Sequence, residues 1–220
     1  MKKITIAILM LFSFSSMASA ELGLNVGVSG QMGVFTAEAE ESIGTNKKGK
    51  DDAIGVFGYG SIFVEKTLGD YLAVGIDYVP SSLSSETVSE SRADKTTANP
   101  AGYGNVKTQK ISVDLEDLTT YYLTLNVTEN LYAKLGYMEV DVITNESLGT
   151  GGAYGNTSLD GTVFGLGYNK DLTNGLFVRA EGNYMDIDGV SLASSAGETK
   201  TIKITDVGGV SGKISIGKTF

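Results

Sequence analysis

The stretch TKTIKITDVGGVSGKISIGKTF, residues 199–220, decides the fold. Its apolar and small residues recur at every second position, so that Ile202, Ile204, Gly208, Val210, Gly212, Ile214, Ile216 and Phe220 share one face. Thr201, Lys203, Thr205, Gly209, Ser211, Lys213, Ser215 and Thr219 share the other. Successive side chains of a strand point to opposite sides, so this period reads as a strand with one apolar and one polar face. The last residue is aromatic, which adds little to a water-soluble surface but suits a strand whose end lies at the edge of a lipid layer.

The same stretch contains a misleading pattern. Residues 212–219, GKISIGKT, match the phosphate-binding loop G-x-x-x-x-G-K-T letter for letter. That loop works only between a strand and a helix, with its backbone N–H groups turned around the phosphates. One residue follows the pattern here, and its glycines lie within a period-two strand, so nucleotide binding is not expected.

Working back from this strand, the start of the chain, MKKITIAILMLFSFSSMASA, reads as a secretory signal over residues 1–20. Lys2 and Lys3 supply the charged start, residues 4–14 the apolar run and Ala18-Ser19-Ala20 the cleavage site, leaving residues 21–220 as the mature domain. The apolar run is too short to span a membrane as a helix, and no later stretch is long enough. An exported chain that is 41% hydrophobic can then enter a membrane only as a closed barrel, which satisfies its own backbone. The net charge of -9 argues against nucleic acid as a partner. With no cysteine there is neither a disulfide nor a thiolate metal site, and 29 glycines against 2 prolines suit barrel strands.

Seven further strands are expected, at 22–36, 53–66, 71–79, 110–127, 131–143, 162–170 and 176–187. The second has an ambiguous phase; with its even positions outward, Phe57, Tyr59 and Glu65 face the interior. In the fourth strand Ile111, Val113, Leu115, Tyr121, Leu123, Leu125 and Val127 alternate with polar residues. The fifth changes phase near Met138, which suggests a bulge or the membrane edge. Residues 37–52, 80–108, 144–161 and 188–198 read as long polar loops, and 67–70, 128–130 and 171–175 as short turns. Outward aromatics fall at two levels, Tyr168 and Phe220 at one end and Tyr78, Tyr137, Phe164 and Tyr184 towards the other.

Long and short connections alternate along the chain, the rhythm of a transmembrane barrel with short periplasmic turns and long outer loops. A soluble β-sandwich or lipocalin-type barrel accounts for the strands but not for this rhythm or for Phe220. Architecture and terminal strand together resemble the small eight-stranded outer-membrane barrels, the OmpA-type transmembrane domain and OmpX-like proteins. The terminal strand is similar to the signature read by the barrel assembly machinery, an aromatic end preceded by alternate apolar residues, here Ile214, Ile216 and Phe220. Lys218 departs from that pattern, although its ammonium can reach the headgroup layer. The resemblance implies an all-β, eight-stranded, antiparallel up-and-down barrel in the bacterial outer membrane. Its surroundings would be lipids and lipopolysaccharide, and the assembly machinery would be a partner. It names no extracellular ligand.

Chemistry is sparse. The chain has no histidine, so no serine has an imidazole base to activate it. No residue pattern marks a catalytic, cofactor or metal site. The informative polar set is Lys134, Arg179, Glu181 and Asp77, all expected to point into the lumen. Buried charges need partners, and an eight-stranded barrel is just wide enough for side chains to fill. An ion-pair network that plugs the lumen is the first expectation and a gated narrow pore for ions or small solutes the second. The resulting function is a non-enzymatic structural or surface-interaction barrel.

Overall fold

Alternating side chains and short polar turns produce one continuous antiparallel sheet. The computed structural model describes residues 23–43, 46–85, 87–92, 106–149, 152–195 and 200–220; the expected signal, residues 1–20, lies outside them. The strands are β1 (Leu24–Ile43), β2 (Asn46–Leu68), β3 (Leu72–Tyr78), β4 (Leu83–Ser84), β5 (Val88–Arg92), β6 (Lys107–Asn126), β7 (Leu131–Ser147), β8 (Thr157–Asp171), β9 (Leu176–Ile187), β10 (Val190–Ala193) and β11 (Lys200–Thr219). The ring runs β1-β2-β3-β6-β7-β8-β9-β11 and closes where β11 pairs with β1, from Asn25 opposite Thr219 upward. Phe220 donates its N–H to the Leu24 carbonyl at 2.8 Å. Closure satisfies both edges, which an open sheet would leave unpaired.

Hydrogen-bonded partners followed once round the ring from Val56 run through Val34, Val210, Tyr184, Phe164, Leu135, Leu123 and Val74 and return to Lys66 on the starting strand. The stagger is the interval from residue 56 to residue 66, and it tilts the strands as barrel closure requires. Nearly every member of this row is apolar and faces outward.

The polar turns sit at one end. Gly69 adopts φ 73° between β2 and β3, and Asn174 and Gly175 adopt φ 62° and 74° between β8 and β9. Between β6 and β7 the Thr128 hydroxyl accepts the N–H groups of Asn130 and Leu131. At the opposite end the strands continue well past any bilayer. With 20 residues in β1 and 23 in β2, they reach roughly 65 Å or more at ~3.3 Å per residue, whereas a spanning strand needs only about 9–11 residues.

Several expected loops are therefore strands. Residues 37–43 prolong β1 and residues 46–52 prolong β2, paired with each other, and β7 and β8 extend into 144–161. Within 80–108, β4 and β5 pair with β6, and within 188–198, β10 pairs with β11.

Two bulges correct the expected faces. Asp117 on β6 and Asp206 on β11 both have φ 52°, and each strand carries one extra residue there against its partner. Beyond Asp117 the phase inverts, so Leu115 packs inside with Leu83 instead of facing out. Beyond Asp206, Ile204 comes opposite Ala39 and Val190 and leaves the face of Ile214 and Ile216. No bulge lies at Met138 in β7, whose register with β8 is unbroken from Leu131 to Val142. Met138, Val140 and Val142 instead continue the inward face of Tyr132 and Lys134, and all three are buried.

Inward glycines make room for aromatic rings on neighbouring strands. A Cβ on Gly167 would lie 2.2 Å from Cζ of Tyr132, one on Gly75 2.4 Å from the Tyr122 ring, and one on Gly217 2.4 Å from the Phe177 ring. Gly167→Ala is expected to push Tyr132 aside and destabilise the barrel by about 1–3 kcal/mol, the usual cost of overpacking. Gly182→Ala, on the outer face with nothing within 4 Å, is the matched control. Equal urea midpoints for the two variants in lipid vesicles would refute the slot.

Candidate functional site

The barrel interior has two layers. The lower one is charged. Glu65 on β2, only 1% exposed, accepts two hydrogen bonds from the Arg179 guanidinium, at 2.9 and 2.7 Å, and one from Asn25 at 2.8 Å. Arg179 also lies over the Phe177 ring at 4.6 Å and donates from Nε to Asn169 at 3.0 Å. Lys134 on β7 pairs with Glu181 on β9, whose other oxygen accepts the Tyr132 hydroxyl at 2.8 Å. Lys213 on β11 pairs across the barrel with Asp77 on β3. Three cations thus meet three carboxylates, each pair joining strands far apart in sequence.

Of the four charges expected in one network, Lys134 and Glu181 come together. Arg179 and Asp77 do not join them. The register puts Lys134 opposite Gly165 and Arg179 opposite Asn169, so the two cations occupy different positions along β8. Arg179 takes Glu65 and Asp77 takes Lys213. Alternation had already placed Glu65 and Lys213 on inward faces; Lys213 stood inside the false phosphate-loop pattern. That pattern is plain strand here, paired on both sides.

The upper layer is apolar. Val79, Leu118, Met138, Val140, Val163 and Met185 form a buried cluster, and Phe35, Phe57, Tyr59, Leu83 and Leu115 pack against it. A permeating ion would have to pass both layers. The described residues hold no cluster of three or more metal-ligating side chains.

The outside is opposite in character. Val28, Met32, Val34, Val56, Leu135, Phe164, Leu166, Val210, Ile214 and Ile216 form an exposed apolar surface, with Val56 77% and Leu166 72% accessible. Tyr137, Phe164, Tyr168, Tyr184 and Phe220 are exposed on that surface. A water-soluble barrel buries its apolar face and does not present one of this extent. A closed barrel with an apolar belt and exposed aromatics is built to cross a bilayer, as bacterial outer-membrane barrels do. At the turn end Lys218 lies over the Phe220 ring, 5.1 Å from its centre, with its ammonium at the polar boundary.

The fold is that of an outer-membrane β-barrel. Among solved structures the chain is similar to the outer membrane protein OprG of Pseudomonas aeruginosa, with 15% identity, 92% of this chain and 98% of that chain covered and a TM-score of 0.57. Looser matches include AlkL, solved in lipid bilayers, at 13% identity, 93% of each chain and a TM-score of 0.49. The outer membrane protease OmpT of Escherichia coli matches at 10% identity, 94% of this chain and 100% of that one, with a TM-score of 0.48. At such identities the likeness fixes the fold and nothing finer. No family model and no curated protein matches the sequence. The outer-membrane barrel thus lies in the bacterial outer membrane with its belt against lipid, and the six paired charges and the apolar cluster fill its lumen.

Proposed function

We propose that the protein is a non-enzymatic, closed outer-membrane barrel that anchors an outward β-extension at the cell surface. The observation that carries this reading is the double closure of the lumen, with paired charges below and an apolar cluster above. A conducting pore needs a continuous polar path, and the apolar layer interrupts it. The absence of histidine speaks against serine hydrolysis. The upper parts of β1 and β2, with β5 and β10, form the surface offered to partners outside.

A narrow channel is the second reading. It is favoured by two small polar voids, of about 20 and 10 Å³, around Lys134 and Lys213. Swelling of liposomes that contain the refolded protein, in small sugars and amino acids, separates the two. Rates equal to those of empty liposomes support the closed barrel, and faster swelling supports the channel.

Residues 1–20 are taken as the export signal, and Ile214, Ile216 and Phe220 as the residues the barrel assembly machinery reads. All three side chains are half or more exposed on the outer face of β11 and its end. Phe220→Gly is expected to lower the yield of folded barrel in cells several-fold while changing unassisted refolding in detergent much less. An equal loss in both settings would make Phe220 a packing residue only.

A further inference from the structure

Asn183 is a polar side chain of the lumen with neither amide atom bonded among the described residues. It projects inward from β9, opposite Gly165 and Ser211, and is 6% exposed. Neither its Oδ1 nor its Nδ2 has a hydrogen-bond partner among the described residues. A buried amide stripped of both partners carries a desolvation cost that no hydrogen bond offsets. Such groups are retained where something else satisfies them.

A cavity adjoins the amide. Asn183 lines an internal cavity of about 20 Å³ together with Gln31, Asp77, Thr120, Lys134 and Lys213. The cavity lies at the seam between the two layers, with Met138, Val163 and Met185 as its apolar roof. A water needs roughly 10–15 Å³ of such space and two to four polar partners. The amide offers its NH2 group as donor and its carbonyl oxygen as acceptor, and the charged and hydroxyl groups around it offer further partners. Gly165 keeps the space open, since a Cβ there would meet Asn183 Oδ1 at 2.6 Å and Lys134 Cε at 3.2 Å.

We propose that this cavity is a binding site for one ordered water, held by both ends of the Asn183 amide and linking it to the Lys134–Glu181 and Lys213–Asp77 pairs. The water completes the charged layer at its boundary with the apolar one. A dissolved anion is the wrong occupant. Each lysine is already matched by a carboxylate, and Asp77 faces the cavity.

The test uses the refolded wild-type barrel in two measurements. A crystal structure sharp enough to show ordered solvent is expected to place one water within hydrogen-bonding distance of Asn183 Nδ2 and Oδ1. A dry cavity overturns the proposal, as does an anomalous bromide peak there after a soak in bromide. Urea unfolding of Asn183→Leu gives an independent readout. Losing the bound water is expected to lower the folding equilibrium constant by about tenfold, the scale of a buried polar bridge. A dry site predicts the opposite, because leucine would remove two unmet polar atoms, and a stabilised variant therefore refutes the water.

Discussion

Glu65→Ala is expected to destabilise the barrel by about 3–5 kcal/mol, the scale for removing one partner of a buried ion pair. Glu65 is the most deeply buried of the six lumen charges, at 1% exposure. Its two oxygens hold both terminal nitrogens of Arg179, and the Asn25 amide donates to one of them. Alanine leaves the guanidinium facing the rings of Phe63, Tyr132 and Phe177 with no anion in reach of both nitrogens. Glu65→Gln keeps the shape and one acceptor, so its loss should be clearly smaller. Urea unfolding in lipid vesicles, followed by tyrosine fluorescence, measures both. Equal effects of the two substitutions, or none, would show that the pair contributes nothing to stability.

Glu181→Ala has the second large effect, and its interest lies in what it leaves unchanged. The substitution strands the Lys134 ammonium, 6% exposed, and the Tyr132 hydroxyl together. A loss of about 3–5 kcal/mol is again expected. Conductance is nevertheless expected to stay at zero, because Met138, Val163, Met185, Val79 and Leu118 still close the barrel above the missing charge. A charge plug acting alone would open on losing Glu181. A double closure opens only when the apolar layer is cut as well.

The lower half of this molecule could be read from the sequence because one rule holds there. Within the bilayer, apolar residues face lipid and polar residues face the lumen, so alternation alone placed Lys134, Arg179, Glu181 and Asp77 inside. Who pairs with whom was not legible, because the partners are separated by long stretches of chain, as with Lys213 and Asp77. Only the stagger of the closed ring brings them together.

The upper half misled because the rule reverses outside the membrane. Above the lipid the exterior faces water, and apolar residues move to the inside as in any soluble barrel. Met138, Val140 and Val142 follow that reversal without any change in strand phase. True changes of phase occur instead at Asp117 and Asp206, where a single residue in the left-handed region adds one position to the strand. Aspartate tolerates that conformation better than most residues, but nothing in either local sequence marks the position as surely as a glycine would. The long outer segments read as loops because Ser, Thr and charged residues dominate them. Their strands are held by pairing with β6 and β11, a tertiary effect that composition does not carry.

The proposed closure of the lumen rests on two layers, one charged and one apolar. Planar-bilayer recording tests it most directly, with the refolded wild-type barrel beside Glu181→Ala and beside a variant that adds Met138→Gly and Met185→Gly to that change. Flat traces from the first two and steady openings from the third are the expected result. Steady openings in the wild type, or in Glu181→Ala alone, would contradict the closed barrel and make the apolar layer passable.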